Sequence, residues 1–147
     1  MIQKALDQVL WFVPLAKEAL RSDFSLLFLP SGSKNERSYL FVHQGPNRPI
    51  EHCSMPKTQT FCGHVVESCS HLDVGSIDNQ NFSGPCTFMQ AEEMQSYLGA
   101  PVRDQSGRSV ASLSVVCRDA RHWTQGEIHS LCRLADYAGQ SLALAQR

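Results

Sequence analysis

Residues 97 to 117 read YLGAPVRDQSGRSVASLSVVC, and this stretch decides the fold that the sequence predicts. Two runs of β-compatible residues flank the polar link 103–108. Short links rich in Asp, Ser and Gly are typical of hairpins, and Gly107 is free to adopt the positive φ that closes one. The stretch therefore predicts a β-hairpin.

The two faces of this hairpin differ in character, because side chains alternate along a strand. One face carries only apolar side chains, namely Leu98, Ala100, Val102, Ala111, Leu113 and Val115. The other face, called here the mixed face, carries Tyr97, Gly99, Pro101, Ser112, Ser114 and Val116. We expect the apolar face to pack under helices. The mixed face either lines a cavity or places its serines in water.

Upstream of the hairpin, apolar residues between positions 2 and 20 follow a helical spacing that Pro14 interrupts. A proline inside a helix removes one hydrogen bond and crowds the preceding turn, so we expect a kink or two short helices. Residues 24–29 and 39–43 read as strands. The three prolines within 45–56 favour an irregular loop.

Between this loop and the hairpin, the sequence predicts a short helix over 61–68, with Thr60 as its N-cap. Residues 72–74 suit an edge strand. Residues 75–95 then form a long excursion that contains Gly84-Pro85. Excursions of this length within a compact domain are often functional lids.

The final helix has the clearest start signal in the chain. Thr124 and Glu127 have the spacing of a capping box. The apolar residues that follow at steps of three and four are Ile128, Leu131, Ala135, Ala138, Leu142 and Ala145. A second apolar stripe contains Leu134, Tyr137 and Leu144. We expect one stripe to cover the sheet and the other to meet a partner helix in a homodimer, with the chain continuing into another module.

These elements predict a single α+β domain over residues 1–147. Its antiparallel sheet of five or six strands carries the N- and C-terminal helices on one face and a helix and loop lid on the other. The net charge of −1 argues against nucleic-acid binding, and no apolar run reaches the length of a membrane span. Six cysteines without a secretion signal favour reduced thiols in the cytoplasm.

A set of motifs in this order resembles the GAF family of small-molecule sensory domains. The phrases are Phe61-Cys62-Gly63-His64, a middle loop over 78–82, Tyr97-x-Gly99-x-Pro101, Gly107, the strand 110–116 and Trp123-Thr124-x-x-Glu127. The resemblance implies a ligand held between sheet and lid, and a signal passed through the terminal helices to an attached or partner output module. We expect the ligand to contact Tyr97, Ser112, Ser114, Phe82, Phe88 and Asp78, with no resident cofactor or metal and no catalytic residue.

A second function is open, because some GAF proteins reduce free methionine-R-sulfoxide. The resemblance would make Cys86, in the lid, the thiolate that attacks the sulfoxide sulfur, followed by disulfide exchange with Cys62 or Cys53. Those reductases carry acidic residues on the hairpin strands to hold the substrate ammonium. This chain has Ser96, Ser114 and Val116 in that neighbourhood, which weakens the enzyme interpretation.

Other ligands are weaker alternatives. Zinc would need Cys62, His64, Cys69 and His71, whose two-residue spacing does not suit a helix. A bilin would need a Cys-His pair where the sequence has His52-Cys53. Haem would rely on His64 or His71, and a cyclic nucleotide on residues 78–82. A domain that only dimerises is a further alternative.

Overall fold

The computed structural model describes residues 2–30, 38–45, 50–55, 60–77 and 92–145, and within these ranges the side chains of 2–5, 52–55 and 145 are outside the description. The elements are α1 (Ile2–Leu10), α2 (Phe12–Leu20), β1 (Phe24–Leu29), β2 (Ser38–His43), β3 (Glu51–Met55), α3 (Phe61–Ser68), β4 (Leu72–Val74), β5 (Ser96–Arg103), β6 (Ser109–Cys117) and α4 (Gln125–Ala145). The predicted break before Pro14 is confirmed as two short helices, which meet at Trp11 and leave Pro14 in the first turn of α2.

The strands of the described residues form one antiparallel sheet in the order β3-β2-β1-β6-β5-β4. Strands β5 and β6 are the predicted hairpin, in which Gly99 pairs with Ser114. Gly107 has a φ of 87°, and its amide donates to the Asp104 carbonyl at 3.0 Å. The hairpin and its turn are therefore confirmed.

The sheet separates two apolar layers. On one face, α1, α2 and α4 pack on the apolar face of the hairpin, with Val13, Leu98, Leu113 and Leu131 in a common core. On the other face, α3 packs on the mixed face, with Phe61, Val65, Tyr97 and Val116 in a second core. The predicted α+β architecture, with the terminal helices on one face, is confirmed.

Both predicted helix starts are present. Thr60 Oγ1 accepts a hydrogen bond from the Gly63 amide at 3.1 Å and so caps α3. At the start of α4, the Glu127 amide donates to Thr124 Oγ1 at 3.1 Å, and the Thr124 amide donates to Glu127 Oε1 at 2.9 Å. This reciprocal pair is a capping box, and it fixes the direction in which α4 enters the helical layer.

The expectation of an irregular loop over 45–56 is wrong in part. Residues Glu51–Met55 form β3, which pairs with the free edge of β2 and places Cys53 opposite Leu40. The prolines at 46, 49 and 56 flank this strand instead of interrupting it. They therefore leave its backbone amides free for pairing, and the neighbouring strand decides the conformation.

Candidate functional site

The mixed face of the hairpin meets α3 in a group of hydroxyl and thiol side chains. Tyr97 Oη lies 2.8 Å from Ser114 Oγ and donates to Cys62 Sγ at 3.4 Å, while the Cys62 and Ser114 side chains are 3.8 Å apart. Together with Ser112 they are at most 1% exposed. We call Tyr97, Ser112, Ser114 and Cys62 the hydroxyl cluster. The alternative in which the serines face water is wrong, since α3 covers them.

Two neighbours fix the position of the Tyr97 phenol. The ring lies along β5 over Gly99, where an added Cβ would be 2.3 Å from Tyr97 Oη and 2.7 Å from its Cζ. The ring of Phe61 packs against it, with the ring centroids 5.1 Å apart. Because buried side chains in close contact cannot shift freely, Gly99 and Phe61 hold the phenolic oxygen at Ser114 and Cys62.

Ser112 differs from the rest of the cluster. It is completely buried, and its Oγ makes no hydrogen bond of ordinary geometry among the described residues, although it lies near enough to the Cys62 sulfur to lower the pKa of that thiol. A buried hydroxyl left unsatisfied costs about 1–3 kcal/mol, so native proteins usually pair such a group with protein, water or a ligand. Ser112 therefore offers the cluster one unused donor and acceptor.

The cluster is uncharged at neutral pH. Burial raises the pKa of the Cys62 thiol, and the hydroxyls of Tyr97, Ser114 and Ser112 oppose this effect without cancelling it. The thiolate is the nucleophilic form of cysteine, so the protonated Cys62 is a weak hydrogen-bonding group and a poor nucleophile. This arrangement suits hydrogen bonding to a polar, uncharged group.

A known protein family also matches this chain. The sequence model of the GAF domain matches residues 12–142. The chain belongs to the GAF family. No curated protein sequence matches this GAF domain.

Solved structures of low sequence identity share its fold. The GAF domain of the Acinetobacter phosphoenolpyruvate-protein phosphotransferase is 16% identical, with 99% of this chain and 93% of that chain covered and a TM-score of 0.73. The free methionine-R-sulfoxide reductase of Neisseria meningitidis, solved with its substrate, is 17% identical, with 95% and 80% covered and a TM-score of 0.70. The photoproduct state of a GAF domain from Synechocystis is 16% identical, with 97% and 95% covered and a TM-score of 0.69.

The structure brings together some of the residues that the sequence predicted for the ligand site. Tyr97, Ser112 and Ser114 lie in one cluster, and Cys62 joins them. Phe82, Phe88 and Asp78 lie outside the described residues, as does Cys86. The backbone of Cys53 is in β3, but its side chain is outside the description.

Some of the residues that the weaker ligand alternatives would need are described in the structure. Cys62 is buried while His64 and His71 are exposed, so the four side chains that zinc would need do not converge. Within the described ranges, no three His, Cys, Asp or Glu side chains are grouped as metal ligands would be. The bilin candidate His52-Cys53 has its side chains outside the description, and residues 78–82 lie outside the described part of the chain. Among the described helices, none is both long and apolar enough to cross a bilayer.

Sequence reasoning missed a polar junction between β4 and the terminal helices. Trp123 Nε1 donates to the Val74 carbonyl at 3.3 Å, and the Arg121 amide donates to the Gly75 carbonyl at 2.9 Å. The Arg121 guanidinium donates to the Leu20 carbonyl at the end of α2 at 2.6 Å and also binds Glu127 in α4. A single segment thus contacts the edge strand, the end of α2 and the start of α4. Only the Thr124–Glu127 spacing was readable in sequence.

Proposed function

We propose that this GAF domain is a sensory domain that binds a small molecule at the hydroxyl cluster and transmits the binding through its terminal helices to an attached or partner output module. The observation that carries the proposal is the buried Ser112 hydroxyl, which has no partner among the described residues. A ligand that hydrogen-bonds to Ser112 would satisfy this group and offset the cost of burying it.

The proposed ligand has polar, uncharged groups that face the hydroxyl cluster. Tyr97, Ser112 and Ser114 supply hydroxyls, each able to donate and accept. Phe82 and Phe88 stay as predicted apolar walls of the site, and Asp78 as a predicted polar contact. An apolar enclosure with a few convergent polar groups is the usual composition of a small-molecule site.

The proposed route of transmission is the junction around Arg121. The chain leaves β4 at Val74 and Gly75, and both carbonyls are held by the segment 121–123. The same segment binds the end of α2 and the start of α4 through Arg121. A ligand that shifts β4 would therefore change the contacts of α2 and α4. The expected result is a shift in population between two packings of these helices.

We propose that two copies associate through the terminal helices, because large apolar side chains are exposed there. Trp11 is 72% exposed between α1 and α2, and Leu144 is 64% exposed on α4. Leu15 and Tyr137 are also exposed. Analytical ultracentrifugation should find a dimer that Leu144→Lys weakens, whereas a wild-type monomer at all concentrations would exclude this part of the proposal. We place the domain in the cytoplasm with its thiols reduced.

Native mass spectrometry of the purified protein under reducing conditions tests the proposed binding. The expected spectrum shows a mass above the one calculated from sequence, and the excess disappears when the protein is denatured. A spectrum with the calculated mass alone, before and after incubation with a small-molecule extract of the expression host, would favour a domain that only dimerises.

The alternative function is reduction of free methionine-R-sulfoxide, the activity named for the Neisseria structure. One observation favours it: Cys62 in α3 contacts the mixed face through Tyr97 and Ser114, inside the proposed binding site. The alternative requires the Cys86 thiolate as the attacking group. It predicts that the wild type turns over methionine-R-sulfoxide with a dithiol reductant, that Cys86→Ser abolishes turnover, and that Cys132→Ser does not. Absence of turnover in the wild type would exclude it.

A further inference from the structure

Cys69 lies at the C-terminal end of α3, whereas Cys62 of the hydroxyl cluster lies at its N-terminal end. It ends α3 in the left-handed conformation, with a φ of 53°, and its amide donates to the Val65 carbonyl at 3.0 Å. The side chain is partly exposed and its thiol is free. It contacts the turn end of the β5–β6 hairpin, which is distant in sequence.

Arg103 holds Cys69 with two hydrogen bonds. Its Nε donates to Cys69 Sγ at 3.3 Å, and its Nη2 donates to the Cys69 carbonyl at 3.0 Å. The sulfur also lies 3.6 Å from the Gly107 carbonyl. The hydrogen bond to the Cys69 carbonyl fixes the guanidinium beside the sulfur. A cationic donor is therefore already in place to stabilise a thiolate.

Ser109 provides a second group at the same sulfur. Its Oγ is buried and has no hydrogen bond of ordinary geometry within the described part of the chain, so the hydroxyl is free to turn toward Cys69. The Ser109 hydroxyl has the largest effect on the pKa of the Cys69 thiol and lowers it, and the Arg103 guanidinium lowers it further. Burial raises this pKa by a smaller amount. The sulfur therefore has a cationic donor within hydrogen-bond distance and a hydroxyl group near it.

We propose that Cys69 is a reactive thiolate and a site of reversible oxidation by hydroperoxides. Reactive cysteines occupy electropositive, partly exposed positions, and Cys69 meets both conditions. The other described cysteines do not meet both. Cys117 also accepts a hydrogen bond from a guanidinium, that of Arg121 at 3.4 Å, but it is buried. Burial raises the pKa of Cys62, and burial followed by the Asp136 carboxylate raises that of Cys132.

The reaction is a two-electron transfer from sulfur to peroxide. A lone pair of the Cys69 thiolate attacks one oxygen of hydrogen peroxide, an S–O bond forms and the O–O bond breaks. Hydroxide leaves and takes up the proton that the thiol released on ionisation, which gives sulfenic acid and water. A dithiol reductant then restores the thiol and releases the oxygen as a second water.

Oxidation of Cys69 would affect Arg103, which also contacts a terminal helix. Arg103 Nη1 lies 3.6 Å from the Asp136 carboxylate on α4. An oxygen added to the sulfur would compete for the guanidinium that holds both partners. The proposal is independent of the ligand site, because none of these residues belongs to the hydroxyl cluster.

The test uses the purified chain, treated with hydrogen peroxide and a 1,3-diketone that traps sulfenic acid, with modified residues located by fragment ions. Cys132 is the internal control, since it is also partly exposed. We expect Cys69 to be labelled severalfold faster than Cys132 at neutral pH, because the Arg103 guanidinium at its sulfur favours the thiolate. A dithiol reductant added before the diketone should reduce the sulfenic acid back to the thiol and so prevent labelling.

Variants distinguish activation of the Cys69 thiol by its neighbours from simple exposure of that thiol. Arg103→Met and Ser109→Ala should each slow labelling of Cys69 several-fold and move the midpoint of its rate against pH upward. Arg108→Met, exposed on the same turn, should not. Ser109→Ala keeps the test valid if Arg103→Met does not fold, since Ser109 Oγ makes no hydrogen bond that the fold depends on. Equal labelling of Cys69 and Cys132, or unchanged pH profiles in both variants, would overturn the proposal.

Discussion

Replacing Gly99 by alanine should displace the Tyr97 ring from the hydroxyl cluster. The new Cβ would lie 2.3 Å from Tyr97 Oη, 2.7 Å from Cζ and 2.8 Å from Cε1, all well inside van der Waals contact. Tyr97 is completely buried and its ring packs against that of Phe61, so a displaced ring must disturb the surrounding core. Overpacking a core costs about 1–3 kcal/mol, and loss of the Tyr97–Ser114 hydrogen bond adds about 1 kcal/mol. We expect the free energy of unfolding to fall by about 2–4 kcal/mol.

Urea denaturation followed by fluorescence and circular dichroism measures this loss. Gly126→Ala is the matched control, because its new Cβ meets nothing nearer than Thr124 Oγ1 at 3.9 Å. Gly126 is exposed in the first turn of α4, where the same substitution should stabilise by about 0.5–1 kcal/mol. The two glycines therefore predict opposite signs for an identical chemical change.

A double-mutant cycle with Tyr97→Leu identifies the cause. Leucine lacks the outer ring atoms that the new methyl would meet, so Gly99→Ala should cost about 0–0.5 kcal/mol in that background, a coupling of about 2 kcal/mol or more. The reasoning is refuted if Gly99→Ala destabilises both backgrounds equally, since the cost would then come from the backbone and not from the ring. A neutral effect of Gly99→Ala in the wild type would refute it as well.

Three further substitutions test other contacts. Thr124→Ala removes the cap of α4 and should cost about 1 kcal/mol in urea denaturation; no loss would show that the cap is dispensable. Burial acts to raise the pKa of Glu127, but hydrogen bonds from the Thr124 amide and Arg121 outweigh it and leave this pKa lowered. The resulting stability is present above the ordinary range of glutamate and is lost as pH falls through the lowered value, so Glu127→Gln should flatten the dependence of stability on pH below about pH 5; an unchanged slope would contradict this. Gly139→Ala would place a Cβ 2.2 Å from the Arg103 carbonyl oxygen, so a thermal melt should show a clear loss of Tm, and an unchanged Tm would disprove the close approach of α4 to β5.

The features that sequence predicted well are those set by neighbours along the chain. Alternation along β5 and β6 assigned Tyr97 and Ser114 to one face and Leu98 to the other, and the register confirms it. The caps at Thr60 and Thr124 were readable because a cap and its amide lie within three residues. Local spacing therefore determined the hairpin, the helix starts and the contents of each face.

The features that sequence did not predict depend on distant residues. β3 forms because Glu51–Met55 finds the edge of β2, which the flanking prolines concealed. Arg121 binds the carbonyl of Leu20, 101 residues away, and no local pattern contains that information. Alternation showed that Tyr97 and the serines share a face, but not that α3 covers them or that Gly99 makes room for the ring. The contributions of Phe82, Phe88 and Asp78 stay predictions.

The measurement that tests the proposed ligand site most directly is native mass spectrometry of the wild type and Ser112→Ala, with Ser130→Ala on the surface of α4 as the matched control. Because Ser112 Oγ has no hydrogen-bond partner to lose among the described residues, Ser112→Ala should keep the stability within about 0.5 kcal/mol of the wild type. We predict that the wild type and Ser130→Ala carry the same additional noncovalent mass and that Ser112→Ala loses most of it at equal protein concentration. Equal occupancy in all three proteins, or no additional mass in the wild type, would contradict a ligand bound at the hydroxyl cluster.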